Sequence, residues 1–576
     1  MNKHLFYIPL IALAAICLIA LPACDDDDNN SNTQQETFSI TPDSLSFPKM
    51  GGTLALTINS ATEPTLLAQN PWLKTTLASS EGSSYTFNVT AEAYTTGTAN
   101  RTSSITVLAG ENSAEVAINQ NYTMSQSFDV DATGGTVAPD VQTTTETTIT
   151  IDALWITDNG DGTYTAMANS NNSTRTGYII YKLDSSSDTI SIVQAAGAEP
   201  TLSLSSTAME LAQYMYPAWN LGNTMEATGS GLGCETSWQS TKTTQEIIDF
   251  VKASGFKSVR IPCSWYIHCP KRTSTDYTID ATWIARVKEI VDYCINDGLF
   301  VELNDHWDSG WLEELGFSSS SSTYTSVIGN DEYINGKIEI LQTLWTQIAT
   351  EFSNYDHHLI FAGLNEPFQN YSLFNGRAES LTPILLKYNQ AFVDAVRATG
   401  GNNAERVLAV QGPATNIDYT LSYFQMPTDA ASNKLFVEVH YYDPYNFTLN
   451  TGSGYTTTWN AESSVKTSFA KLKSKFADNN IPVILGEYGA NWRGGLATAK
   501  QTSHDNSIYA FYKTINKWGP NNGIVPFVWD TNYCPAVRNA SDKSTMTIIN
   551  RASVAIYNPY AYAGITEGSN ATAWMK

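Results

Sequence analysis

Downstream of about residue 205 the chain repeats one pattern eight times: a short apolar run that ends in a polar or ionisable side chain. The runs are YPAWNLGN (216–223), SVRIPCSW (258–265), FVELNDH (300–306), LIFAGLNEP (359–367), RVLAVQG (406–412), LFVEVHYY (435–442), PVILGEYG (482–489) and GIVPFVWD (523–530). Longer amphipathic stretches separate several of them. TTQEIIDFVKASG (243–255), for example, spaces its apolar residues as a helix does and closes on glycine. Apolar runs of this length read as strands buried on both faces. Eight strand–helix units over about 370 residues meet the requirement of a (β/α)8 TIM barrel. The competing architecture, a doubly wound open sheet, calls for an early Gly-rich phosphate loop, and the sequence has none.

In such a barrel, function collects at the C-terminal ends of the strands. Here those ends carry Asn220, Arg260, His306, Asn365 with Glu366, Gln411, His440 with Tyr442, Glu487 and Trp529. A core alone would not choose these residues. Burying a lone carboxylate costs several kcal/mol, so the glutamate in FAGLNEPFQ (361–369) either faces solvent or does chemistry. Runs four and seven both end in Glu and lie on opposite sides of a barrel mouth. Glycoside hydrolysis takes two carboxyls, about 5–5.5 Å apart when the anomeric configuration is retained. Two bland readings stand beside this one: Arg260 could pair with a structural carboxylate, and His440 could be a satisfied strand histidine. His357 and His358 read as a surface loop. No cluster has metal-ligand spacing along the sequence, so neither a metal nor a cofactor is called for.

LNEP around Glu366, GEYG around Glu487, VRIP (Arg260), LNDH (His306), EVHYY (His440, Tyr442) and VPFVWD (Trp529) together resemble glycoside hydrolase family 5 over residues 210–570. The resemblance implies a retaining double displacement. Glu366 would be the protonated acid/base and Glu487 the ionised nucleophile, held by Arg260 and Tyr442. Asn365 would bond the sugar 2-hydroxyl, His306 and His440 would position hydroxyls, and Trp529 would stack under the sugar. WNLGNTMEA (219–227), which contains Asn220, and CETSW (234–238) look like the family's endo-β-1,4-glucanases rather than its mannanases. HWDSGWLEE (306–314) adds Trp307 and Trp311 at the mouth, Trp307 standing where many relatives carry a second His. Trp238, Trp265 and Trp492 join them as cleft candidates. The implied function is endo-acting cleavage of a β-1,4-glucan polysaccharide: cellulose-type chains, mixed-linkage glucan or xyloglucan. The alternatives are a mannanase of the same mechanism and a non-catalytic glycan-binding lipoprotein. The last would lack a carboxylate, and both are present.

Residues 37–198 have a different texture, rich in Thr, Ser and Asn, with period-two alternation in SYTFNVTAE (84–92). DNGDGTY (158–164) is hairpin-turn chemistry rather than a calcium loop. Two units recur: Trp72, Arg101 and Gln120, then Trp155, Arg175 and Gln194, with 19 residues from Arg to Gln in both. The pattern resembles BACON domains, small β-sandwiches, here over 37–122 and 125–198, and a spacer role is the preferred expectation. Residues 1–24 read as a secretion signal. LPAC (21–24) resembles a lipobox that would lipidate Cys24, and the acidic run after it, part of a linker over 25–36, resembles a surface-export signal. Together they imply a lipoprotein on the extracellular face of an outer membrane, tethered by its lipid alone. The formal net charge of −24 argues against nucleic-acid partners. The chain has 7 cysteines; those beyond Cys24 read mostly as buried small hydrophobes.

Overall fold

The computed structural model describes residues 38–47, 49, 51–94, 100–120, 126–139, 141, 147–169, 171, 173, 174–183, 186–198, 201–273, 275–312, 328–368, 377–535 and 544–575. The expected signal with Cys24 and the linker over 25–36 lie outside them. So does most of the Ser/Gly/Thr-rich stretch over 316–330. Among the described residues no helix is long and apolar enough to cross a membrane.

Eight parallel strands close into a barrel: β1 (Ala218–Asn220), β2 (Ser258–Ile261), β3 (Phe300–Asn304), β4 (Leu359–Ala362), β5 (Leu408–Asn416), β6 (Leu435–Tyr441), β7 (Val483–Tyr488) and β8 (Ile524–Val528). Each falls within, or overlaps, one of the eight apolar runs. Closure is the β1–β8 pairing, Ala218 opposite Phe527 and Trp219 opposite Val528. The helices that follow the strands are α1 (Gln245–Ala253), α2 (Ala281–Asn296), α3 (Asp331–Glu351), α4 (Ala378–Ala398), α5 (Ile417–Tyr423), α6 (Glu462–Lys475), α7 (Thr498–Asn521) and α8 (Pro559–Ala571). Several start on a side-chain cap: Asp280 on α2, Asn330 on α3 and Asn558 on α8, the last followed by proline.

Side chains alternate between the two faces of a strand, and the barrel interior shows it. A lower layer is apolar: Ala218, Ile360, Ala362, Ala409, Phe436, Ile484, Val525 and Phe527 form one buried cluster with Leu211 and Met215, which lie just before β1. Two residues further up each strand, the same parity places Asn220, Arg260, Glu302, Gln411, Glu438 and Gly486. The floor of the site is therefore a polar layer resting on an apolar plug.

The chain divides into two compact units, Met1–Tyr122 and Thr123–Lys576. The first holds two four-stranded sheets around one apolar core. In it Arg101 Nε donates to Gln120 Oε1 at 2.8 Å, and its guanidinium lies 4.0 Å from the Trp72 ring. The second small sandwich repeats the device: Arg175 donates to Gln194 at 2.9 Å and lies 4.4 Å from the Trp155 ring. The recurring Trp, Arg and Gln are thus one stacked, hydrogen-bonded cluster, and the equal spacing is the register of a hairpin that pairs Arg directly with Gln.

The second sandwich shares a compact unit with the barrel and packs on it. Lys513 of α7 donates to Asp152 at 2.7 Å, and Lys517 bonds the backbone carbonyl of Asp152. Trp155 Nε1 reaches Asn570 O at 2.7 Å, and Leu154 N reaches Ala571 O at 2.7 Å, both at the end of α8.

Candidate active site

Glu487 ends β7, and Glu366 lies four residues past the end of β4. A carboxylate oxygen of each lies within 4.8 Å of the other's. Glu487 is buried. Arg260 Nη1 donates to its Oε1 at 3.1 Å and Tyr442 Oη to its Oε2 at 2.9 Å, so both oxygens are held by donors. Glu366 is more open, and His440 Nδ1 lies 2.7 Å from its Oε1. This imidazole is a direct partner of Glu366.

Arg260 is completely buried and organises the floor. Besides Glu487 it reaches Asn220 at 3.0 Å, Asn365 at 2.8 Å, Glu302 at 3.3 Å and Glu438 at 3.2 Å. Burial works against its charge, but Glu438, Glu487 and Glu302 outweigh that and raise its proton affinity. Burial likewise opposes a charged His440, yet Glu487, Glu366 and Glu438 raise its pKa to about 10. The histidine is therefore an imidazolium at neutral pH, donating from both ring nitrogens. His306 is the opposite case. Burial, Arg260 and His440 push it well below the usual histidine range, so it is neutral, 3.3 Å from Asn304 and stacked on Trp529 with ring centroids 5.9 Å apart. Trp529 is half-buried at the rim, as a sugar platform must be.

Three residues grouped with the substrate contacts sit elsewhere. Arg260 and Asn220 are wholly buried and act from beneath: Asn220 accepts from Arg260 and donates to Gly486 O at 2.9 Å. Trp311 is 1% exposed, donates to Asp305 and stacks on Tyr266 at 5.3 Å, so it has no face for a sugar. Trp265 and Trp492 are core as well, whereas Trp307 and Trp238 are 51% and 45% exposed. A cavity of about 40 Å³ opens beside Glu366, between Trp307, Leu312, Leu364 and Pro367. Cys234, Cys263, Cys269 and Cys294 are buried free thiols.

Among the described residues, two groups of three side chains bring ligand-type atoms within 4.8 Å of one another, Glu366/His440/Glu487 and Asp356/His357/His358. The first is assembled from three strand ends, which is why spacing along the chain does not show it. Both His440 nitrogens there already donate to carboxylates. In the second, His357 and His358 sit half-buried in the turn before β4, and the His358 ring lies 5.0 Å from Phe300.

Sequence reasoning passed over Glu302 and Glu438. Each interrupts a fully buried strand, and each shares the parity of Arg260 on a neighbouring strand. That parity was the available signal.

The sequence of residues 224–535 matches the family described as Cellulase (glycosyl hydrolase family 5). The chain belongs to glycoside hydrolase family 5. This family 5 chain is 35% identical over 351 residues to endoglucanase A of Paenibacillus barcinonensis, covering 57% of the chain and 83% of that protein. Among solved structures it is similar to a family 5 xyloglucan-specific β-1,4-glucanase from a ruminal metagenomic library, in complex with XXLG. The match has TM-score 0.60 and 50% identity, over 64% of this chain and 97% of that one. It is also similar to a Bacteroides ovatus family 5 xyloglucanase in complex with a XXXG heptasaccharide, with TM-score 0.56 and 26% identity over 93% and 100% of the two chains. Residues 58–121 match the BACON family, described as a putative N-terminal binding domain. This family 5 chain is a glycoside hydrolase on a (β/α)8 barrel.

Proposed function

We propose that Glu366 and Glu487 carry out retaining, endo-acting hydrolysis of β-1,4-glucan chains, with xyloglucan the preferred polymer. The observation that carries this reading is the approach of the two carboxylates to within 4.8 Å. Retaining glycosidases hold them about 5–5.5 Å apart, and inverting ones about 6.5–9.5 Å apart to admit a water. Glu487, ionised and clamped by Arg260 and Tyr442, attacks the anomeric carbon. The glycosidic C–O bond breaks as Glu366 gives its proton to the leaving oxygen. In the second half-reaction Glu366 takes a proton from water, whose oxygen attacks the same carbon and releases Glu487. Asn365, fixed by Arg260, is placed to bond the 2-hydroxyl of the sugar under attack. Trp529 provides the stacking floor, His306 a neutral ring beside it, and Trp307 and Trp238 further exposed aromatic faces.

The xyloglucan-specific names of two similar proteins support the choice of polymer. Glu366→Gln should remove nearly all turnover of barley glucan and xyloglucan while binding persists. Ordinary rates in that variant would overturn the assignment. Release of reducing sugar from mannan alone would replace the glucanase reading with the mannanase one.

We also infer that the chain is a surface lipoprotein, on the strength of LPAC followed by DDDDNN, and that residues 125–198 form a second BACON-type unit, on the strength of the shared Trp–Arg–Gln cluster. Loss of lipid labelling in Cys24→Ala tests the anchor.

A further inference from the structure

We infer that Glu438 is a positioning residue for the acid/base: acting through His440, it sets how tightly the His440–Glu366 pair holds its proton. The inference rests on the reading of Glu366 given above. Glu438 sits on β6 two residues before His440 and is completely buried. Its Oε1 lies 3.3 Å from His440 Nε2, while His440 Nδ1 lies 2.7 Å from Glu366. The imidazole is therefore a bridge between a buried carboxylate and the partly buried one proposed to meet substrate.

The surroundings are built to hold a charge at Glu438. Arg260 lies 3.2 Å from its Oε1, and Gln411 donates to its Oε2. Burial raises the proton affinity of Glu438, but Arg260 and His440 outweigh it and hold the residue below the usual carboxylate range. Its neighbour Glu302, also completely buried, is driven the other way by burial and by Glu438. The barrel backbone makes room for the carboxylate: a Cβ on Gly486 would lie 2.0 Å from Glu438 Oε1. The remaining titratable groups facing the bridge are Glu487 and Tyr442 from above and the neutral His306 from β3. Among these Glu438 alone puts a fixed negative charge on the far nitrogen of the ring. With it, His440 stays an imidazolium whose Nδ1–H points at Glu366. Without it, the ring loses its partner at Nε2 and lets go of a proton more easily, so the Nδ1–H presented to Glu366 is lost at lower pH.

The test is the pH dependence of kcat/KM on a soluble xyloglucan for wild type, Glu438→Gln and Glu302→Gln. The basic limb reports the essential acid of the free enzyme. Removing an opposite charge at this range should move that limb down by about one to two pH units in Glu438→Gln, and leave it in place in Glu302→Gln, whose carboxyl lies against Arg260 rather than against the ring. A limb that stays put in Glu438→Gln, or moves equally in both, overturns the inference. A purely structural role would lower kcat at every pH without moving the limb. A wild type that releases no sugar from glucan overturns the proposed function instead, so the two failures are distinguishable. Should Glu438→Gln not fold, ¹⁵N-histidine spectra of the wild type decide. One imidazolium protonated on both nitrogens at pH 8, absent in His440→Gln, is expected, and its absence from the wild type refutes the bridge.

Discussion

Gly486 precedes Glu487 on β7, and replacing it with alanine tests the packing of the site floor. A Cβ there would lie 2.0 Å from Glu438 Oε1, 2.8 Å from its Cδ and 3.1 Å from its Cγ. A carbon and an oxygen in ordinary contact need roughly 3.3 Å, so about 1.3 Å must be found. Glu438 cannot swing aside cheaply, because Arg260, His440 and Gln411 hold its two oxygens. If the strand yields, overpacking costs about 1–3 kcal/mol. If the carboxylate rotates instead, a buried acceptor loses a charged hydrogen bond, another ~1–3 kcal/mol. Gly486→Ala should therefore lose about 1–3 kcal/mol of stability by either route, and a displacement of about 1 Å at the adjoining Glu487 should cost about 100-fold in kcat. Thermal unfolding and initial rates on xyloglucan measure both. The double variant Gly486→Ala/Glu438→Ala should recover part of the stability, because the clash is gone. A single variant with wild-type Tm and kcat within twofold, or a double variant whose losses simply add, would refute the reasoning.

Asp152→Ala removes the acceptor shared by Lys513 and Lys517, whose side chains are 18% and 15% exposed. An exposed pair contributes about 0–1 kcal/mol and a broken buried one costs about 3–5, so about 2 kcal/mol should be lost on unfolding in urea while kcat is unchanged. Burial against Trp283 pushes His268 down to about 4 from its ordinary 6.5. The unfolded chain then binds a proton that the folded one refuses between those values. That stability is complete above pH 6.5 and is lost as pH falls toward 4, by up to about 3 kcal/mol. His268→Phe should flatten this part of the stability–pH curve measured by denaturant unfolding, and an unchanged slope would count against the assignment.

The barrel was legible because its strands are short apolar runs punctuated by chemistry, and a fully buried parallel strand leaves that trace. The two carboxylates proposed for catalysis, and the His440, Tyr442 and Arg260 side chains beside them, stood out for the same reason: each breaks an apolar run near its C-terminal end. Glu302 and Glu438 break runs in the middle, and only strand parity, which puts them on Arg260's layer, marks them as part of the site. Tryptophans misled in proportion to their size. Trp265, Trp311 and Trp492 lie just past strand ends, as Trp307 does, but a large ring satisfies a core as well as a cleft, and local sequence does not distinguish the two. The docking of the second sandwich left no local sign, since Asp152 and Lys513 are ordinary charged residues 361 positions apart in the chain.

The most direct test of the central claim is the anomeric configuration of the first product, followed by ¹H NMR while xyloglucan or a cello-oligosaccharide is being cut and before mutarotation. Two carboxylates this close leave space for attack by Glu487 itself, so the β-anomer should appear first. Initial release of the α-anomer would contradict the account.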